Sequence, residues 1–132
     1  MSHVAKEIGS IAKPDEIRFT DADSIWLSHS QGRRTCYIGI VQYRPYNRPV
    51  RYRQLFAKFE ALMRHYSGRP HWAKAHSCSP TELSQLYPHW NDFLATRQRF
   101  DPDEVFVNPY VARHLLGRIG DGVDTRVFKS RL

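Results

Sequence analysis

Long apolar runs are missing from this 132-residue sequence, and none approaches the roughly 18 residues that a bilayer-spanning helix needs. The N-terminus also lacks the apolar core of a secretory signal, so neither a membrane span nor an export leader is expected. Cysteine is scarce. Cys36 and Cys78 stand far apart without C-x-x-C spacing, which excludes a disulfide framework and fits unpaired thiols in a reducing compartment. There is no G-x-S-x-G elbow for a serine hydrolase, and two isolated cysteines give little support to a cysteine hydrolase. A glycine-rich dinucleotide loop is absent too. His71, His76 and Cys78 form H-x4-H-x-C, which is not a zinc spacing, and no second ligand pair accompanies them, so no metal site is expected.

Acidic residues are few beside basic ones, 13 against 20, leaving a formal charge of +7. Such an excess gains phosphate affinity through counterion release. The arginines are scattered, however, from Arg33 and Arg34 through Arg44, Arg48, Arg51 and Arg53 to Arg113, and no nucleic-acid motif organises them. No specific nucleic-acid partner is expected; a basic binder would need these arginines to form one contiguous stripe. A hydrophobic content of 41% is enough for a folded core, and the length is one domain's worth. It is short for an enzyme that must also enclose a dinucleotide.

Residues 1–14 read as a polar extension ended by Pro14. Glu16 to Thr20 alternates strictly, placing Glu16, Arg18 and Thr20 on one strand face and Ile17 and Phe19 on the other. A second strand is expected near Ile25 to Ser28, then a Gln31-Gly32 turn, then the strongest strand from Thr35 to Tyr43, closed by Pro45 and Pro49. From Val50 to Tyr66 the period becomes helical, with Tyr52, Leu55, Phe56, Phe59, Leu62, Met63 and Tyr66 forming an aromatic-rich core stripe that Gly68 terminates. Ser79-Pro80-Thr81-Glu82 is a capping box opening a short helix to about Tyr87. Another helix begins near Pro88 with Trp90, Phe93, Leu94 and Phe100 on its apolar face, and Asn108-Pro109 caps a last one that Gly117 ends. Residues 118–132 read as a mobile basic tail. The class is α+β, an antiparallel sheet portion covered by helices.

The run Gly68-Arg69-Pro70-His71-Trp72-Ala73-Lys74-Ala75-His76 has neither strand nor helix period, so its polar heads are expected in a fixed irregular backbone, as a ligand wall. On spacing alone, Glu16 and Arg18 read as an ordinary surface ion pair and Lys74 as a surface lysine. Asn108 with Tyr110 reads as a helix cap beside a packed tyrosine.

Taken together, Glu16-Ile17-Arg18, the His71-Trp72-Ala73-Lys74 tetrad and Phe106-Val107-Asn108-Pro109-Tyr110 resemble, in order and spacing, the C-terminal part of the sugar-1,4-lactone oxidases. These vanillyl-alcohol-oxidase-like FAD enzymes include L-gulonolactone oxidase and D-arabinono-1,4-lactone oxidase. The resemblance covers residues 15–117, which it implies to be the substrate domain and C-terminal part of a two-domain flavoenzyme. It implies catalytic roles for Glu16 on a sugar hydroxyl, for Arg18 on negative charge and for Lys74 pointing into the site. Cofactor contacts are implied for His71, Trp72, Asn108 and Tyr110; which group accepts the hydroxyl proton stays open. Nothing here resembles the family's FAD-binding half, so FAD is expected to be held largely by a domain absent from this chain, in cis or in trans. Gly39 stands where some relatives carry a polar pocket residue, a departure that bears on sugar preference. The resemblance also brings a membrane surface, at the endoplasmic reticulum or the mitochondrion, among the partners. A non-catalytic remnant or partner-binding module of the same fold is the alternative reading.

Overall fold

The computed structural model describes residues 16–118; the expected N-terminal extension and nearly all of the expected basic tail lie outside them. The alternating Glu16–Thr20 segment is strand β1, and it pairs antiparallel with β2, Thr35–Gly39. Arg18 stands directly opposite Tyr37, and Phe19 opposite Cys36. Directly opposed residues share a face. Glu16, Arg18 and Thr20 therefore stand with Thr35 and Tyr37, while Ile17 and Phe19 stand with Cys36 and Ile38. That second face is open to solvent, with Phe19 78% exposed.

The α+β class expected from the sequence holds, with this two-stranded sheet and four α-helices among the described residues. The helices are α1 (Arg53–His65), α2 (Pro80–Leu86), α3 (Trp90–Phe100) and α4 (Pro109–His114). Helix α2 packs on α3 and α4, and among the described residues no helix lies across the sheet. The buried core is Cys78, Leu83, Tyr87 and Trp90, with Leu27, Trp72, Leu86, Leu94 and Leu115 packed around it.

Three local expectations are corrected. Ile25–Ser28 is a turn, not a strand: the Asp23 carboxylate accepts the Ile25 N–H at 2.9 Å, and Ser28 N–H donates to the Ile25 carbonyl. An aspartate that bonds the backbone two residues on competes successfully with extended structure. The strand expected to reach Tyr43 ends at Gly39, where its partner strand β1 begins with Glu16. Beyond it, Val41 and Tyr43 are exposed, and Pro45–Asn47 forms a 3-10 turn with Tyr46 and Asn47 in the left-handed region. Finally, the stripe on α1 is half-buried and contributes no residue to the buried core.

The ends of the helices follow sequence chemistry closely. Ser79 Oγ accepts the Glu82 N–H and Glu82 returns a carboxylate oxygen to the Ser79 N–H at 2.8 Å, completing the capping box. The Asn108 side chain accepts the N–H groups of Tyr110 and Val111, capping α4. At the end of α1, Ser67 takes the left-handed position and Gly68 N–H reaches back to the Met63 carbonyl at 2.7 Å. That is the Schellman arrangement, shifted one residue from the expected glycine stop. Gly68 is needed for closeness: a Cβ there would sit 2.9 Å from the Met63 carbonyl oxygen. After α4, Gly117 supplies the expected left-handed stop with φ near 66°.

Candidate functional site

Residues 69–79 cross the molecule without helix or strand, as the composition of the run predicts, and their order comes from side chains aimed at backbone. Arg69 is the chief fastener. Its Nη1 faces the carbonyls of Ser28, His29 and Gln31 at 2.9–3.2 Å, its Nε donates to the Leu86 carbonyl, and its guanidinium lies 4.7 Å over the Tyr87 ring. Burial and the neighbouring Arg33 pull its pKa below the usual arginine range. Trp72 donates its indole N–H to the Leu27 carbonyl at 2.8 Å and stacks on Tyr87. Trp72, expected at the flavin, is therefore part of the core packing.

His71 and Lys74 occupy a tight turn. Lys74 N–H donates to the His71 carbonyl at 2.9 Å, and His71 Nδ1 accepts the Ala73 N–H. Both side chains are exposed. The His71 ring stacks on His29, ring centres 5.0 Å apart, and meets the edge of Tyr37 at 6.5 Å. Burial, then the adjacent His71, lowers the His29 pKa, and its Nε2 is buried without a partner.

Tyr37 connects two distant segments. It stands opposite Arg18 in the sheet and touches both His29 and His71. The polar sheet face thus runs from the Glu16–Arg18 ion pair through Tyr37 onto the His71 turn. Glu16, Arg18 and His71 come to one surface. Lys74 lies on the adjoining turn, and among the described residues no hydrogen bond or ion pair joins its side chain to Glu16 or Arg18.

The remaining expected cofactor residues, Asn108 and Tyr110, are used internally. Asn108 is the α4 cap, and the Tyr110 hydroxyl lies 2.9 Å from His76 Nε2. Sequence reasoning missed the group around that contact. His76 and His114 are buried with ring centres 4.2 Å apart, and His114 Nδ1 donates to the Cys78 carbonyl at 3.0 Å. The legible signal was the i, i+4 spacing of Tyr110 and His114, which puts both rings on one face of α4. Burial and then His114 lower the His76 pKa to about 4. These histidines border a cleft of about 750 Å³ between α1 and α4, which Tyr52, Phe56, Arg64 and Arg113 also line.

Both cysteines are free; Cys78 is buried and Cys36 exposed. Among the described residues no group of three or more His, Cys, Asp or Glu side chains could hold a metal ion, and no helix is long and apolar enough to cross a membrane. Arg18, His71 and Lys74 are exposed, and a flavin's anionic edge calls for cationic and imidazole groups of this kind. Trp72, Asn108 and Tyr110 have their polar atoms committed elsewhere.

The D-arabinono-1,4-lactone oxidase family model matches residues 2–114. L-gulonolactone oxidase of Mus musculus is 39% identical over 100 residues, covering 76% of this chain and 23% of that protein. L-gulono-1,4-lactone dehydrogenase of Mycobacterium tuberculosis is 42% identical over 102 residues, covering 77% and 23%. Alditol oxidase of a Streptomyces species is 23% identical over 111 residues, covering 84% and 26%. The chain spans about a quarter of the length of these relatives.

Proposed function

Because the chain belongs to the D-arabinono-1,4-lactone oxidase family, we propose that it is the substrate-domain portion of an FAD-dependent aldono-1,4-lactone oxidase. The reaction is oxidation of the secondary hydroxyl beside the lactone carbonyl of D-arabinono- or L-gulono-1,4-lactone. The alcohol loses a hydride and a proton to become a ketone, and dioxygen takes up both electrons and two protons to give hydrogen peroxide. The 2-keto lactone is the precursor of ascorbate or its five-carbon analogue. Residues 15–117 form the substrate domain, and the FAD-binding half comes from elsewhere in the same protein or from a second chain.

The carrying observation is the continuity of one polar surface from Glu16 and Arg18 through Tyr37 to the His71-Trp72-Ala73-Lys74 turn, which brings together motifs more than fifty residues apart. FAD supplies acceptance of the hydride. The chain supplies orientation and charge. Glu16 accepts a hydrogen bond from a sugar hydroxyl, with Arg18 beside it holding the negative charge that develops as the hydroxyl ionises. Lys74 adds a second cation from the turn, and His71 presents its ring at the boundary with the cofactor. Trp72, Asn108 and Tyr110 act behind them by fixing the segments on which they stand. Exposed Val41, Tyr43 and Tyr46, interleaved with Arg44 and Arg48, form the patch that supports contact with an anionic membrane surface.

The test is complementation. The chain is mixed with the FAD-binding half of a family member, the flavin spectrum is recorded, and peroxide release is followed on adding each lactone. Turnover in the mixture alone, reduced about 100-fold by Lys74→Ala with retained far-UV dichroism, is the expected result. Two folded parts giving no turnover would favour the remnant or partner-binding reading.

A further inference from the structure

His76 is two residues from Lys74, is only 4% exposed, and serves no direct role in the reaction proposed above. Its surroundings are unusually demanding. The Cys78 carbonyl can only accept, so His114 Nδ1 carries a proton and His114 Nε2 is left as a buried lone pair without a partner. His76 Nδ1 is also buried and unpartnered, on a ring 4.2 Å from that of His114. No hydrogen bond joins these two atoms, so the polar tie that His76 makes is the 2.9 Å contact of its Nε2 with the Tyr110 hydroxyl, which can donate or accept.

Chain segment 73–79 is gripped on its other side as well. Ser77 N–H donates to Glu60 at 3.1 Å, and Arg64 reaches Ser77 Oγ at 2.8 Å. The α1 grip acts downstream of His76; Trp72 ties the turn to the Leu27 carbonyl two residues before Lys74, and the His76–Tyr110 bond is the first side-chain tie after it, on the α4 side. We infer that His76 is a positioning residue, whose hydrogen bond to Tyr110 holds the Lys74-bearing turn in register with α4. The inference rests on the reading of Lys74 as a site residue.

Two substitutions separate orientation from packing. Leu at position 76 fills the buried volume and forms no hydrogen bond; Gln can still bond Tyr110. In the chain itself, hydrogen exchange of the Lys74 amide is expected to speed up about tenfold in His76→Leu and to stay near wild type in His76→Gln. In the complemented enzyme, His76→Leu should lower kcat about tenfold with KM nearly unchanged, while His76→Gln stays within about threefold. Equal exchange and equal kcat in the two variants would overturn the inference and leave His76 as packing. If the wild-type mixture has no lactone turnover, the proposed function fails and the amide exchange alone decides: a slow Lys74 amide in His76→Leu overturns the positioning role.

Discussion

The two parts of the proposed site are held in opposite ways. Glu16 and Arg18 stand on a two-stranded ribbon whose apolar side, Ile17 and Phe19, is open, and no helix among the described residues backs it. Lys74 stands on a turn that the rest of the chain grips from several directions: Arg69 and Trp72 on the 27–31 backbone, His76 on α4, Ser77 on α1. Isolated two-stranded ribbons are marginal in water. The difference teaches that, among the described residues, the His71–Lys74 turn is fastened from several sides while the two-stranded ribbon is backed by no helix.

The comparison breaks most easily at Arg69. Arg69→Ala strips hydrogen-bond donors from four carbonyls and removes the cation over Tyr87, so a loss of about 4 kcal/mol is expected, enough to abolish a cooperative thermal transition. An unchanged melting curve would show that the turn is not held from the 28–31 side. Lysine should rescue little, since a single ammonium cannot match the guanidinium fork.

Acid should loosen the same region next. His76 faces Tyr110 and His114 on α4, Arg64 on α1 and Glu82 on α2. Its pKa falls from 6.5 to about 4 on folding, so the unfolded chain takes up a proton that the folded chain refuses. The stabilising contribution is complete above pH 6.5 and drains away as the pH falls toward 4, by about 3 kcal/mol in all. Denaturant midpoints measured through that window should decline with pH, and the His76→Gln variant should decline less. Parallel slopes would mean that other groups carry the acid sensitivity.

How much of this was legible in the chain depends on the range of each interaction. The capping box at Ser79 and Glu82, the Asn108 cap, the left-handed Gly117 and the alternation of β1 are local chemistry, and each was readable from a few adjacent residues. Ile25–Ser28 misled because its apolar residues suit a strand, while the deciding group is the Asp23 carboxylate just before them. The α1 pattern revealed an amphipathic helix but not what covers its stripe. Arg69 looked like part of a ligand wall; three of its four acceptors lie 38 to 41 residues back in the 28–31 loop and the fourth, the Leu86 carbonyl, 17 residues on, distances no local pattern reports. The Glu16–Arg18 pair and the His71 turn were identified by resemblance, while Tyr37, the residue that joins them, became visible only with strand register.

A smaller effect sharpens the contrast within the well-held region. Ser79→Ala removes the side-chain half of the capping box and should cost about 1 kcal/mol by thermal or denaturant melting. The Glu82 carboxyl, held below its usual range chiefly by the Ser79 N–H, would keep that backbone bond. A loss near zero would show that Pro80 alone sets the start of α2.

The smallest expected change in stability falls on the sheet. The Glu16 and Arg18 side chains are 55% and 71% exposed, and an ion pair that open to water is screened and entropically costly to fix. Glu16→Gln should therefore shift the melting transition by less than about 0.5 kcal/mol. In the complemented enzyme the same substitution should reduce kcat/KM about 100-fold, because a neutral amide is a weaker acceptor for the substrate hydroxyl and leaves Arg18 uncompensated. A large stability loss would mean that the ribbon is held by this pair. A small activity loss would remove Glu16 from the site while leaving the gripped turn, and Lys74 on it, untouched.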